Sequence, residues 1–198
     1  MSLVDDIRWI QRAVGAEPDG VFGPRTAQAV MLELSSRGRN GMMRDDSPLE
    51  IDERTRTNLD TLDPKARERF EQLVLLGKAT AATFGCDWVM ISGHRTWEEQ
   101  DALYQKRPKV TNARGGYSNH NFGIAGDFAV FRGKSYLDNA DPKTAAQVHA
   151  AIAVHARKLG FEWGGDWKSL KDYPHFEIST GLTMAQKRKL YKERGSVL

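Results

Sequence analysis

The sequence has almost no cysteine. One thiol in 198 residues, Cys86, excludes an intrachain disulfide framework and a cysteine-rich zinc ribbon. It precedes an apolar stretch and reads as a small core residue rather than a nucleophile. Long hydrophobic runs are also missing. Apolar residues make up 40% of the chain, enough for a sizeable core but too interrupted for a membrane span. The segment Met1 to Val14 holds Asp5, Asp6 and Arg8 and has no apolar centre, so it does not read as a signal peptide. No His-Glu-x-x-His string occurs, which excludes a thermolysin-like zinc helix. Charge of one sign is scarce too: 29 Lys and Arg face 26 Asp and Glu, a net +3. That excess leans only slightly towards anionic partners and does not indicate specific nucleic-acid binding.

What is present divides at Ser35 to Pro48, a stretch dominated by Ser, Gly, Arg, Asn and Asp that reads as a linker. Residues 4–40 form a small helical unit: Ile7, Ile10 and Val14 have helical spacing, and Asp19-Gly20 is a turn signal. Gly23-Pro24 then opens a second run through Ala27, Val30, Met31 and Leu34. Residues 50–198 form the main domain. Asp63-Pro64 starts a helix that buries Phe70, Leu73, Val74, Gly77 and Ala81 and ends at Gly85. Asp87 to Ser92 is a strand, and Thr96 to Glu99 is a capping box opening the next helix. A long polar stretch, Lys106 to Phe122, has the character of a functional loop. Asp127 to Arg132 is a strand, Asp141-Pro142 caps a helix that stops at Gly160, and Phe161 to Trp163 and Pro174 to Ile178 are short strands. Thr183 caps a final helix whose Lys187, Arg188, Lys189, Lys192 and Arg194 read as a solvated face. Helices and strands mix without a βαβ rhythm, which predicts an α+β fold with a mainly antiparallel central sheet flanked by helices.

The chemistry concentrates in Ser118-Asn119-His120-Asn121-Phe122-Gly123-Ile124-Ala125-Gly126-Asp127. A histidine and an aspartate joined by a small-residue turn make half of a metal site, because catalytic zinc takes three protein ligands and leaves one position for water. The third candidate lies in Asp172-Tyr173-Pro174-His175-Phe176-Glu177. On a strand, Asp127 and Ala129 face one way, and Phe128 and Val130 the other. The residues alone leave open an N-capping or salt-bridged role for Asp127. His94 is a weaker candidate, and His149 and His155 lie off one face of their helix, so they make poor partners for one ion. Trp163, Trp167 and the Gly164-Gly165-Asp166 turn either line a cleft or fill the core.

Ser118, His120, Gly123, Ala125 and Asp127 fit the pattern Ser-x-His-x-x-Gly-x-Ala-x-Asp at each fixed position. With Ser92-Gly93-His94-Arg95-Thr96 upstream and Asp172-x-x-His175 downstream, the chain resembles the VanY-like zinc peptidases of peptidoglycan from about Asn58 to about Ser179. The resemblance implies a Hedgehog/DD-peptidase-like fold and one Zn²⁺ per chain on His120, Asp127 and His175. Asp172 would be the general base and Arg95 the stabiliser of the oxyanion. Ser118 would orient substrate or a ligand, and Glu177 would hydrogen-bond a ligand histidine. The dipeptidase branch carries glutamate at the position of Asp172, so the aspartate favours the endolysin-type L-alanyl-D-glutamate peptidases. A D-Ala-D-Ala carboxypeptidase and a non-catalytic zinc-containing wall-binding domain are the alternatives. The implied partner is the peptidoglycan stem peptide, met by a monomer made in the cytoplasm and released at lysis. The string from Ile10-Gln11-Arg12 through Asp19-Gly20-Val21-Phe22-Gly23-Pro24 to Ala29-Val30 resembles part of a three-helix peptidoglycan-binding module. It covers barely half of that module, and a helical hairpin resting on the main domain is the other reading.

Overall fold

A computed structural model describes residues 3–23, 26, 29–30 and 50–198. The predicted linker falls outside these residues, apart from its neighbours. The described elements begin with helix α1 (Leu3–Ala13), followed in the main domain by α2 (Glu53–Asp60), α3 (Pro64–Ala82), β1 (Asp87–Ser92) and α4 (Trp97–Gln105). Then come β2 (Ala125–Arg132), β3 (Ser135–Tyr136), α5 (Leu137–Ala140), α6 (Pro142–Lys158), β4 (Phe161–Trp163), β5 (His175–Ile178) and α7 (Met184–Arg194). The strands form one antiparallel sheet in the order β1-β2-β5-β4, with β3 paired to the far end of β2. The α+β expectation therefore holds. The helix α2, the β3 hairpin strand and α5 were not legible, because all three are short and lack an apolar period of their own.

Local chemistry explains the long helices. Asp63 caps α3 by accepting from the Lys65 N–H, with Pro64 at the first helical position. Asp141 does the same for α6 through Thr144. Thr96 with Glu99, and Thr183 with Gln186, form complete capping boxes on α4 and α7. Helices α3 and α6 cover one face of the sheet and enclose a core of Phe70, Trp88, Phe128, Val148, Ile152 and Phe176. Trp88 stacks on Phe128 at 3.8 Å between ring centroids, and Phe176 meets Trp88 edge-on at 5.4 Å. The Trp88 indole N–H donates to Nδ1 of buried His149, whose Nε2–H reaches Asp138 at 2.9 Å. Asp138 in turn accepts from the Val130 N–H. His149 is thus a satisfied core histidine, because a buried polar group must find partners.

The N-terminal unit is organised by buried Gln11. Its amide nitrogen lies within hydrogen-bond reach of Asp19 Oδ1, the Val21 carbonyl and Thr26 Oγ1, and its oxygen accepts from the Gly20 N–H. Thr26, Ala29 and Val30 are helical, and Met31 and Leu34 of the predicted run lie outside the described residues. Ile7 and Phe22 pack on Leu75 and Leu76 of α3, so the unit shares an apolar cluster with the main domain.

Gly77 marks the closest approach of α3 to the sheet. A Cβ there would sit 2.1 Å from the Trp88 ring. Gly77→Ala gains at most about 1 kcal/mol of helix propensity, whereas overpacking a core costs about 1–3 kcal/mol. The substitution is expected to destabilise the protein, read as a lower urea midpoint at an unchanged m-value; a raised midpoint would mean that the Trp88 ring yields at no cost.

Candidate metal centre

The sheet register brings the site together. Asp127 on β2 lies opposite His175 on β5 on one side and Ser92 on β1 on the other. Alternation sends Phe128 and Phe176 into the core and leaves Asp127, His175 and Glu177 on the opposite face. His120 arrives separately, on a 3₁₀ turn (Asn119–Phe122) that ends at Gly123 in the left-handed conformation, φ 65°. Buried Asn121 stitches that turn to the Arg95 loop: its amide donates to the carbonyls of Arg95 and Thr96, and its oxygen accepts from the Gly116 N–H.

Hydrogen bonds determine which nitrogen each histidine offers. His120 Nδ1 lies 2.7 Å from the Gly93 carbonyl, which can only accept, so Nδ1 carries the proton and Nε2 faces the site. Residue 93 has no room for a side chain, since a Cβ would fall 2.5 Å from the Asn58 carbonyl oxygen. His175 Nε2 donates to Glu177 at 2.8 Å, which leaves Nδ1 facing the site. Both free nitrogens approach the same oxygen, Asp127 Oδ1, at 3.2 Å from His120 and 3.0 Å from His175. The three ligand atoms lie within 4.8 Å of one another. Two imidazole lone pairs and a carboxylate oxygen repel one another at that range unless a cation or an additional proton sits among them. The donor set and its outer hydrogen bonds therefore fit zinc.

Electrostatics express the same frustration. Burial pushes the Asp127 carboxyl up, but the two histidines outweigh it and hold it well below the ordinary range. Burial depresses His175, yet its bonds to Asp127 and Glu177 carry it up to about 10. Glu177 is held below its usual value by His175, with help from Asn119 and Lys187, against the opposing effect of burial.

The remaining expectations sort clearly. Arg95 is held by Ser92 Oγ at 3.0 Å (Nε) and 2.8 Å (Nη2), and Nη2 also contacts Asp127 Oδ2; Nη1 has no partner among the described residues. Asp172 sits on a loop tied by its N–H to the Gly164 carbonyl. Burial and the charge of Asp127 raise its carboxyl above the usual range, and it makes no side-chain hydrogen bond among the described residues. Trp167 lies beside His175, with ring centroids 5.0 Å apart. Trp163 does not line the site: it is buried and donates its indole N–H to the Tyr173 carbonyl, holding the Asp172 loop from behind. Ser118 precedes the His120 turn, half-buried, without a side-chain cap bond. Lys187 overturns the solvated-face reading of α7. It is buried, and its ammonium donates to Asn119 Oδ1 at 2.8 Å; burial lowers its pKa, against the opposing charges of Glu177 and Glu162. The signal was the i, i+3, i+7 spacing of Met184, Lys187 and Tyr191, masked by the surrounding cations.

Residues 111–178 match the family described as D-alanyl-D-alanine carboxypeptidase, a span that holds His120, Asp127, Asp172 and His175. Over that span the chain is similar to the VanY-like peptidases. Among the family's relatives, a peptidoglycan L-alanyl-D-glutamate endopeptidase, CwlK of Bacillus subtilis, is 45% identical over 113 residues, 51% of this chain and 66% of that protein. The L-alanyl-D-glutamate peptidase of Listeria phage A118 is 30% identical over 89 residues, 40% of this chain and 29% of the phage protein. The chain therefore spans less than two thirds of the length of either relative. The L-Ala D-Glu endopeptidase ChiX of Serratia marcescens matches with a TM-score of 0.47 and 26% identity, over 64% of this chain and 87% of that one.

Two outcomes follow for this site. Glu177→Ala frees the His175 ring to turn, and zinc affinity is expected to fall roughly 10- to 100-fold, measured by competition with a chromophoric chelator. An unchanged affinity would remove Glu177 from the site. In metal-free protein the raised His175 contributes stability that is fully present below 6.5 and is lost as pH rises through about 10. The melting temperature with chelator should decline across that window. With zinc bound, the ring is already deprotonated and the decline should flatten.

Proposed function

We propose that this protein is a zinc-dependent peptidoglycan peptidase that hydrolyses the L-alanyl-D-glutamate bond of the stem peptide. The convergence of His120 Nε2, Asp127 Oδ1 and His175 Nδ1, with Asp172 in their field and making no side-chain hydrogen bond among the described residues, carries the reading. The 45% identity to a protein named for that bond supports the specificity. Peptidases of this family are generally zinc-dependent. Zinc bound to the three residues would supply Lewis acidity and lower the pKa of a bound water to about 7.

The chain's own residues do the rest. Asp172 takes a proton from the attacking water and passes it to the leaving amide nitrogen, a role suited to a carboxyl raised by burial and by Asp127. Arg95, clamped by Ser92 and Asp127, offers Nη1 to the substrate carbonyl as it becomes an oxyanion. Gly93 and Glu177 keep both histidine rings turned towards the site. No helix among the described residues is long and apolar enough to cross a membrane.

A second reading has one specific support: the matching family is described by D-Ala-D-Ala carboxypeptidase activity. The same residues would then release terminal D-alanine. Purified peptidoglycan digested with and without chelator separates the two. New amino-terminal D-Glu that chelator abolishes and zinc restores is the expected product. Free D-Ala would change the specificity, and no cleavage by zinc-loaded protein would remove the peptidase reading. Asp172→Asn should retain zinc and lose turnover, and Arg95→Ala should cost roughly 10²–10³ in rate. Normal cleavage by Asp172→Asn would mean that another group is the base.

A further inference from the structure

Arg95 also lines a cavity of about 360 Å³, bounded by His94, Arg95, Glu99, Ala102, Leu103 and Lys106. Its charges are unequal. The one carboxylate, Glu99, is tied at 2.8 Å to the Thr96 N–H by the capping box. Arg95 is engaged by Ser92 and Asp127. Lys106 terminates α4, is exposed, and its ammonium makes no ion pair or hydrogen bond among the described residues. His94 is half-buried and burial holds its pKa down, so it lines the cavity as a neutral polar group. Ala102 and Leu103 supply an apolar wall. Such a cavity suits a short aliphatic group that ends in a carboxylate.

The inference rests on the peptidase reading. In the stem peptide, D-glutamate is joined to the next residue through its γ-carboxyl, so its α-carboxylate is free. That carboxylate stands on the same carbon as the leaving nitrogen, and it is the negative charge nearest the scissile bond on the leaving side. A substrate whose scissile carbonyl meets Arg95 presents this carboxylate to the cavity that Arg95 lines. We propose that the cavity is the subsite for the D-glutamyl α-carboxylate and that Lys106 is its specificity-determining cation. Lys106 acts as a point charge here and needs no fixed fork geometry.

The test compares two acetylated peptides, L-Ala-γ-D-Glu-L-Lys-D-Ala and the same peptide with the α-carboxyl amidated, cleaved by zinc-loaded full-length protein. The expected wild-type preference in kcat/KM for the free acid is about tenfold or more, the scale of one charge-assisted hydrogen bond. Lys106→Met should bring the ratio close to one, mainly through KM for the acid, and Lys106→Arg should restore most of it. Equal cleavage of both peptides by the wild type, or a preference kept in Lys106→Met, overturns the subsite while the peptidase reading stands. Cleavage of neither peptide by wild-type protein with zinc bound overturns both.

Discussion

The site depends on one pairing: Asp127 opposite His175 across two antiparallel strands, with Ser92 next in the row. Because side chains alternate along a strand, a slip of one residue would put Phe176 in the site and His175 in the core. The core makes that slip costly. Phe128, Phe176 and Trp88 form one aromatic cluster, locked to α3 by the bare backbone of Gly77 and to α6 by the Trp88–His149–Asp138 chain. The register that packs the apolar face is the register that assembles the polar one.

A second layer makes the polar face tolerable. Carboxylates and histidines crowded at a partly buried sheet surface are costly unless each is paired. Three of them are: His120 by the Gly93 carbonyl, His175 by Glu177, and Asp127 by Arg95. Glu177 is in turn steadied by Asn119 and the buried Lys187. When both imidazoles are neutral, the outer bonds use up their N–H groups and leave acceptors facing inward, a set that suits a cation. Lys187 comes from α7, so the last helix of the chain contributes to a site whose ligands lie on β2, β5 and the 3₁₀ turn.

Chemistry and recognition meet at Arg95. Its guanidinium connects Ser92 at the end of β1 with Asp127 on β2, and its backbone N–H donates to the His120 carbonyl. The same residue borders the cavity closed by Lys106 at the end of α4. The loop after β1 is therefore both a brace for His120 and Asp127 and a wall of that cavity. The N-terminal unit stands apart from this chemistry and attaches through Ile7 and Phe22 to the outer surface of α3.

The linear sequence determined the long helices, their caps and the principal strands, and it singled out His120, Asp127, His175, Asp172 and Arg95 as candidates. Those signals are local: capping boxes, apolar periods and short motifs act within a few residues. Tertiary structure decided what those residues touch. Which imidazole nitrogen faces inward depends on the Gly93 carbonyl and on Glu177, the first of which is remote from His120 in sequence. Lys187 read as solvent-exposed because its neighbours are cations, and only the docking of α7 on the Asn119 turn buries it. Trp163 and Trp167 look alike along the chain, but strand β4 commits the first to the core while the loop leaves the second beside His175. Gln11 gave no local sign of its role, since its partners at Gly20, Val21 and Thr26 come near only when the unit folds. Burial and hydrogen-bond satisfaction are properties of the folded surroundings, and a motif cannot carry them by itself.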